Sequence, residues 1–148
     1  MAASNEPLKP ATINRLRSQV APAMAMLAGM QLELFTPLQN GPMSAGELAA
    51  ALDLDPVKLP PLLYALVSVE LLTVENGRFA NTAEADHFLV KGQPAYMGGM
   101  HELFSILWGA MWHTADTIRS GKPQAKEDFS AMGEDELRPW MQGLHPEA

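Results

Sequence analysis

The segment that decides the fold is residues 42–82, PMSAGELAAALDLDPVKLPPLLYALVSVELLTVENGRFANT. Near its start, Ser44-Ala-Gly-Glu47 has the spacing of a capping box. In this motif the serine side chain accepts a hydrogen bond from the Glu47 amide, while the glutamate carboxylate accepts one from the Ser44 amide. The segment therefore begins with a helix that starts just after Ser44.

Two further elements follow in the same segment. Asp55-Pro56 opens a turn, and Pro60-Pro61 delays the regular part of a second helix until that point. Asn76-Gly77 then separates two short apolar runs at residues 72–75 and 78–80, which is the strongest short signal for a β-hairpin. A capped helix, a second helix and a hairpin in this order predict a winged helix.

The charge of this segment does not suit a DNA-recognition helix. Its second helix, within residues 55–70, has Lys58 as its only basic residue. A helix that reads DNA offers Lys or Arg to phosphates and Arg, Asn or Gln to base edges. Across residues 42–81 the acids outnumber the bases, with Glu47, Asp53, Asp55, Glu70 and Glu75 against Lys58 and Arg78. The pattern favours a structural helix over DNA recognition.

Composition sets wider limits. The 148 residues suit one domain, and 47% of them are apolar, which is enough for a core. The net charge of −7 and a pI near 5.0 disfavour nucleic acid and anionic membrane as partners. The absence of cysteine excludes disulfides and thiolate metal sites and fits a reducing cytoplasm. We expect a cytoplasmic protein without nucleic acid or membrane contacts.

Upstream of the winged helix lies an apolar helical stripe. Residues 1–10 are expected to form a flexible arm, and the stripe then recurs at intervals of three and four: Ile13, Leu16, Val20, Met24, Leu27, Met30 and Leu34. Pro22 is unfavourable in a helix interior, so we expect two helices with Pro22 in the first turn of the second. The uncharged run at residues 18–32 is too short to span a membrane.

Downstream, residues 96–120 are predicted to form one long helix that ends before Gly121. Its apolar face contains Met100, Leu103, Phe104, Leu107, Met111 and Ile118. A neighbouring stripe contains His101, Ser105, Trp108 and Trp112. Indole rings stack on flat aromatic ligands, and His or Ser can fix a hydroxyl, so this stripe is the best candidate for a substrate pocket. A core or dimer contact is the alternative.

No complete catalytic or metal site is visible. His87, His101, His113 and His145 lack the spacing that places two imidazoles on one ion. The chain has no cysteine, no Gly-x-Ser-x-Gly elbow and no glycine-rich phosphate loop. We therefore predict no catalytic residue, no metal site and no cofactor-binding residue in these 148 residues.

Several motifs in order resemble the N-terminal dimerisation domain of class I S-adenosylmethionine-dependent O-methyltransferases of the hydroxyindole and caffeate type. They are Met24-Ala-Met-Leu-Ala-Gly-Met-Gln-Leu-Glu-Leu-Phe-Thr-Pro-Leu38, Gly41-Pro-Met-Ser-Ala-Gly-Glu-Leu-Ala-Ala50, Leu62-Leu-Tyr-Ala-Leu-Val67, Glu70-Leu-Leu72 and Asn76-Gly-Arg-Phe-Ala80. Asp128-Phe-Ser-Ala-Met132 and Gly143-Leu-His-Pro146 are similar to the connector that follows this domain in bacterial members.

The resemblance implies a mainly α-helical, winged-helix-like homodimer with one β-hairpin and no Rossmann domain in this chain. It implies that Met24, Leu27, Met30, Leu34 and Phe35 hold the partner subunit. It also implies that Trp108 and Trp112 stack a small, hydroxylated aromatic acceptor that His101 orients. S-adenosylmethionine would bind to a separate domain of the complete enzyme, so this chain alone should be inactive and free of cofactor.

The predicted organisation is an arm at residues 1–10, the dimerisation domain at 11–120 and a connector at 121–148. Trp140, Met141 and Leu144 are candidate anchors of a last helix within the connector. Two other functions stay open at this point. One is a winged-helix transcriptional regulator, and the other is a free-standing dimeric adaptor without catalysis.

Overall fold

A computed structural model describes residues 8–123 and Gly133. The helices are α1 Ala11–Ser18, α2 Val20–Gln31, α3 Phe35–Leu38, α4 Ala45–Leu52, α5 Leu59–Ser68, α6 Ala83–Phe88, α7 His101–Trp112 and α8 Thr114–Ser120. The strands are β1 Met43–Ser44, β2 Leu72–Glu75 and β3 Arg78–Asn81, and a 3₁₀ turn spans Gly98–Met100. Most of the arm, the connector and its anchors Trp140, Met141 and Leu144 lie outside the described residues, as does His145.

The N-terminal stripe forms two helices, as predicted. α1 ends at Ser18 and α2 begins at Val20, so Pro22 is the third residue of α2. There it disturbs no hydrogen bond, because the first amides of a helix have no partner within the helix. α1 buries none of its residues, which makes it a helix without a core face in the single chain.

The core is centred on the turn after α2. Glu33 has a positive φ of 51°, which turns the chain so that Leu34 and Phe35 both point inward with no exposed surface. Gly29 on α2 allows the Phe35 ring to approach closely, since an added Cβ would stand 3.1 Å from that ring and 3.2 Å from Leu66. The absence of a side chain at position 29 therefore leaves space for the Phe35 ring between α2 and α5.

The capping box at the start of α4 is confirmed. The Ser44 amide donates to Glu47 Oε2 at 2.6 Å, and the Glu47 amide donates to Ser44 Oγ at 3.2 Å. The hydrogen bonds with Ser44 lower the pKa of the Glu47 carboxyl, and nearby Arg78 adds to the effect. Arg78 Nη2 lies 3.1 Å from Glu47 Oε2, so an exposed ion pair ties the start of α4 to β3.

The helix α5 begins at Leu59, and Pro60-Pro61 occupy its first turn, as predicted. Asp55 caps the preceding turn by accepting from the Val57 amide at 2.8 Å. Leu63 and Leu66 are fully buried, and Leu59 at the start of the helix is buried as well. α5 contacts both α2 and β2 and is the central support of the core.

The predicted hairpin is confirmed, with positive φ angles at both Asn76 and Gly77. The expectation of a single hairpin was incomplete, because β1 pairs with the other side of β3 and makes a three-stranded antiparallel sheet in the order β1-β3-β2. Met43 lies opposite Phe79. β1 has only two residues, so it leaves no alternating pattern that a sequence could reveal.

The prediction of one long helix over residues 96–120 was wrong. A 3₁₀ turn precedes α7, and the chain leaves helical geometry at His113, where φ is −95° and ψ is 14°. The Thr114 hydroxyl donates to the Met111 carbonyl at 2.6 Å and so competes for a helix acceptor. Neither α7 nor α8 contains a buried residue. Of the predicted apolar face, Leu107, Met111 and Ile118 are exposed.

Within residues 8–123, no helix has both the length and the apolar character needed to cross a membrane.

Two glycine substitutions test the close approach at α2. We expect Gly29→Ala to lower the free energy of unfolding by about 1–3 kcal/mol, because the Phe35 ring has no room to move. Gly46→Ala, in α4, meets no atom within 4 Å and should raise it by about 0.5 kcal/mol through helix propensity. Urea denaturation measures both, and equal effects of the two substitutions would contradict this packing.

Candidate functional site

The first candidate site is an apolar surface formed by helical residues that do not pack into the core. We call it the helical face and define it by the exposed side chains of α1, α2, α7 and α8: Ile13, Leu16, Val20, Met24, Leu107, Met111, Trp112 and Ile118. Trp112 is 84% exposed and Ile118 is 78% exposed. α2 contacts both α1 and α7. Exposed apolar side chains that cluster on a protein surface mark interaction sites.

The five side chains predicted to hold a partner divide into two groups. Met24 is exposed and belongs to the helical face. Leu27, Met30, Leu34 and Phe35 are buried in the core of their own chain. Their role in an interface therefore stays a prediction, and in the single chain they support the helices that carry the helical face. Ile13, Leu16 and Val20 were visible in the sequence as one stripe with Met24 but were not assigned to the interface.

The four predicted substrate residues lie along α7 but in different surroundings. Ser105 Oγ donates to the His101 carbonyl at 2.7 Å and accepts from Gln31 Nε2 at 3.1 Å, which links α7 to α2. Trp108 is half-buried and stacks on Phe104, with ring centroids 5.1 Å apart and planes 4° from parallel. Trp112 is on the exposed helical face. Their role in binding an acceptor stays a prediction.

The second candidate site is an apolar cavity of about 240 Å³. It lies between α2, α6 and the start of α7 and is lined by Met26, Met30, Leu71, Glu84, Phe88, Leu89, Met97, Met100 and Phe104. None of the four predicted substrate residues lines it. The sequence pattern predicted that Met100 and Phe104 lie on the apolar face of a helix. Helical periodicity does not indicate whether a cavity lies beneath that face.

The segment between α6 and α7 forms one wall of the cavity. The Met97 amide donates to the Phe88 carbonyl at 2.7 Å, which brings these two lining residues together. The Tyr96 ring occupies the place where a side chain on Gly98 would stand, so any larger residue at position 98 would displace this ring. Burial raises the pKa of the Tyr96 hydroxyl.

An exposed ion pair also holds the segment between α6 and α7. Lys91 Nζ lies 2.6 Å from Glu33 Oε1, and this hydrogen bond raises the pKa of Lys91. The Lys91 amide also donates to Thr36 Oγ1 at 3.1 Å. The wall of the cavity is thus attached to the turn that carries Leu34 and Phe35. Among residues 8–123 and Gly133, no three potential metal ligands lie together.

Residues 15–91 match the family described as the O-methyltransferase dimerisation domain. This match covers more than half of the chain, and the motifs quoted above fall largely within it. The chain belongs to the O-methyltransferase dimerisation domain family.

Relatives of this dimerisation domain occur in longer enzymes. The chain is 30% identical over 115 residues to 3-hydroxy-5-methyl-1-naphthoate 3-O-methyltransferase of Streptomyces sahachiroi, which covers 77% of this chain and 33% of that enzyme. It is 29% identical over 126 residues to the tetracenomycin polyketide synthesis 8-O-methyl transferase of Streptomyces glaucescens, covering 84% and 37%. The chain thus spans about a third of the length of these curated relatives.

Solved structures give the same fold. An O-methyltransferase family protein from Burkholderia thailandensis superposes with a TM-score of 0.75 at 23% identity, covering 94% of this chain and 42% of that one. Human N-acetylserotonin methyltransferase, in complex with S-adenosylmethionine, superposes with a TM-score of 0.77 at 24% identity, covering 97% and 46%. The dimerisation domain therefore shares its helical architecture with methyltransferases of low sequence identity.

A serine pair tests the link between α2 and α7. We expect Ser105→Ala to lower the free energy of unfolding by about 0.5–1 kcal/mol, because it removes the hydrogen bond with Gln31. Ser68→Ala is the matched control, since the Ser68 hydroxyl donates to the Ala65 carbonyl within α5 and links no second helix in the described part of the chain. That change should be close to neutral. The link is refuted if urea denaturation gives the same result for both variants.

Proposed function

We propose that this chain is the dimerisation and pocket-lining part of an S-adenosylmethionine-dependent O-methyltransferase that acts on a small, hydroxylated aromatic acceptor. The observation that supports the proposal most directly is that a domain of this family exposes the apolar side chains of the helical face. The relevant helices are too short to stand alone, because α1 has 8 residues and α8 has 7, and neither buries a side chain. Isolated helices shorter than about 12 residues are marginal in water.

A second copy of the chain is the partner that we propose. Association would bury the exposed apolar side chains of α1, α7 and α8, three helices that contain no fully buried residue. A stable interface of ordinary size removes about 800 Å² from each partner. Apolar surface contributes roughly 25 cal/mol per Å² removed from water, so a face of this type can drive dimerisation. The family's description as a dimerisation domain supports the same assignment.

The acceptor class comes from the relatives and the aromatic side chains together. The two Streptomyces relatives are named for a hydroxylated naphthoate and for a tetracenomycin polyketide. We propose that this chain contributes to the binding of a related hydroxylated ring system. Trp108, stacked on Phe104, would form an aromatic wall, Trp112 would reach the acceptor from the helical face, and His101 would orient a hydroxyl.

The cofactor would be held by another part of the complete enzyme. S-adenosylmethionine supplies an electrophilic methyl group on a sulfonium, which the acceptor hydroxyl oxygen attacks in line. Catalysis of this kind depends on holding the reacting atoms in line and excluding water. The share of this chain would be to seat the acceptor and close the pocket, so alone it should be inactive and free of cofactor. The absence of cysteine supports a reducing, cytoplasmic setting.

We also propose that α4, α5 and the hairpin act as a winged helix with a structural task. α5 turns Leu63 and Leu66 into the core, and Lys58 just before it is the only basic residue of the segment that would face DNA. This distribution supports a scaffold rather than a reader of nucleic acid.

Two valine substitutions test the dimer. We expect Val20→Glu to weaken association at least tenfold, because it places an unpaired charge in an apolar interface. Val57→Glu is the control, since Val57 is equally apolar and 76% exposed but precedes α5, away from the helical face. Size-exclusion chromatography with light scattering gives the mass of each. A monomeric parent chain, or equal masses for the two variants, would overturn the proposal.

A further inference from the structure

The cavity behind α7 is partly open to solvent, and the described part of the chain supplies its lining without a partner. Its lining comes from α2, from Leu71 ahead of β2, from α6 and from the segment that leads into α7. It is therefore present before any partner or second domain arrives. We infer that it is a preformed subsite for a neutral aromatic ring system and that Glu84 selects against carboxylate-bearing ligands. As an acceptor subsite it rests on the proposed function, whereas its ligand preference is a property of this chain.

The size of the cavity suits a fused ring pair. An apolar cavity of roughly 150 Å³ accepts benzene. The cavity here is about 240 Å³, which leaves room for a second fused ring. Met26, Met30, Met97 and Met100 supply flexible thioether side chains. Methionine adapts its shape to flat ligands and makes favourable sulfur–aromatic contacts. Phe88 and Phe104 add aromatic surface.

Glu84 is the only ionisable residue of this lining. It lies in the first turn of α6 and is exposed. Asp86 in the same turn is engaged, because it accepts from Asn81 Nδ2 at 3.3 Å. Glu84 forms no such bond or ion pair within residues 8–123, so its carboxylate is available to a ligand at the edge of the cavity.

The chemistry of this edge determines which ligands fit. A phenolic hydroxyl or an amine can donate a hydrogen bond to the Glu84 carboxylate while its rings occupy the apolar interior. A ligand carboxylate would instead face a like charge, and the other lining side chains, which are Met, Leu and Phe, offer no donor to replace its water. The two possibilities differ only in the polar group of the ligand.

A size-matched ligand pair tests the inference on the 148-residue chain. 1-Naphthol is neutral at pH 7 and 1-naphthoate is anionic, and both carry the same two rings. The readout is the methionine methyl signals in a nuclear magnetic resonance titration. We expect 1-naphthol to shift the signals of Met26, Met30, Met97 and Met100 and to leave Met111 on the helical face unchanged. We expect 1-naphthoate to bind at least about fivefold more weakly.

Two variants that remove the same charge isolate the role of Glu84. Glu84→Gln should strengthen binding of 1-naphthoate about three- to tenfold and weaken that of 1-naphthol by about two- to threefold, because the amide oxygen still accepts the hydroxyl hydrogen but without the charge. Glu75→Gln, in the hairpin, should leave the ratio of the two affinities unchanged. The inference is overturned if the shifts fall on Met111 instead, if the two ligands bind equally, or if both variants change the ratio alike. Failure here with an intact dimer refutes the subsite alone, whereas a monomer that still binds 1-naphthol refutes the proposed dimer alone.

Discussion

The burial of Leu34 and Phe35 against α5 is the interaction on which the rest of the structure depends. The turn at Glu33 directs both side chains inward, and Gly29 leaves space for the Phe35 ring. The same turn is tied to the wall of the cavity through the ion pair between Glu33 and Lys91. Because this core occupies one side of α2, the helices α1 and α7, which also contact α2, are left with apolar side chains that one chain does not cover.

This division explains how one small domain can serve two purposes. The compact part, made of α3 to α6 and the sheet, carries most of the buried side chains. The outer helices are supported mainly through α2 and offer the helical face to a partner. The cavity lies at the boundary between the two parts, where α2, α6 and α7 meet, and its methionine lining would let the proposed ligand be accommodated without rebuilding the core.

The sequence predicted the elements whose signals are local. Ser44 with Glu47, Pro60-Pro61, and Asn76-Gly77 each determine a helix start or a turn through the chemistry of two or three neighbouring residues. The strand β1 and the break at His113 were missed, because each depends on one or two hydrogen bonds that periodicity does not encode. Burial was the harder problem. One continuous stripe runs from Ile13 to Leu34, and only the tertiary structure shows that its first half is exposed and its second half is core.

Hydrogen exchange is the most direct test of the claim that a second chain completes the outer helices. Amide exchange would be followed in α1, α5 and α8 at two protein concentrations about a hundredfold apart, on either side of the dimer dissociation constant. The account predicts that α1 and α8 are protected at the high concentration and lose that protection on dilution, while α5 stays protected in both. Equal protection of α1 and α8 at the two concentrations would contradict it.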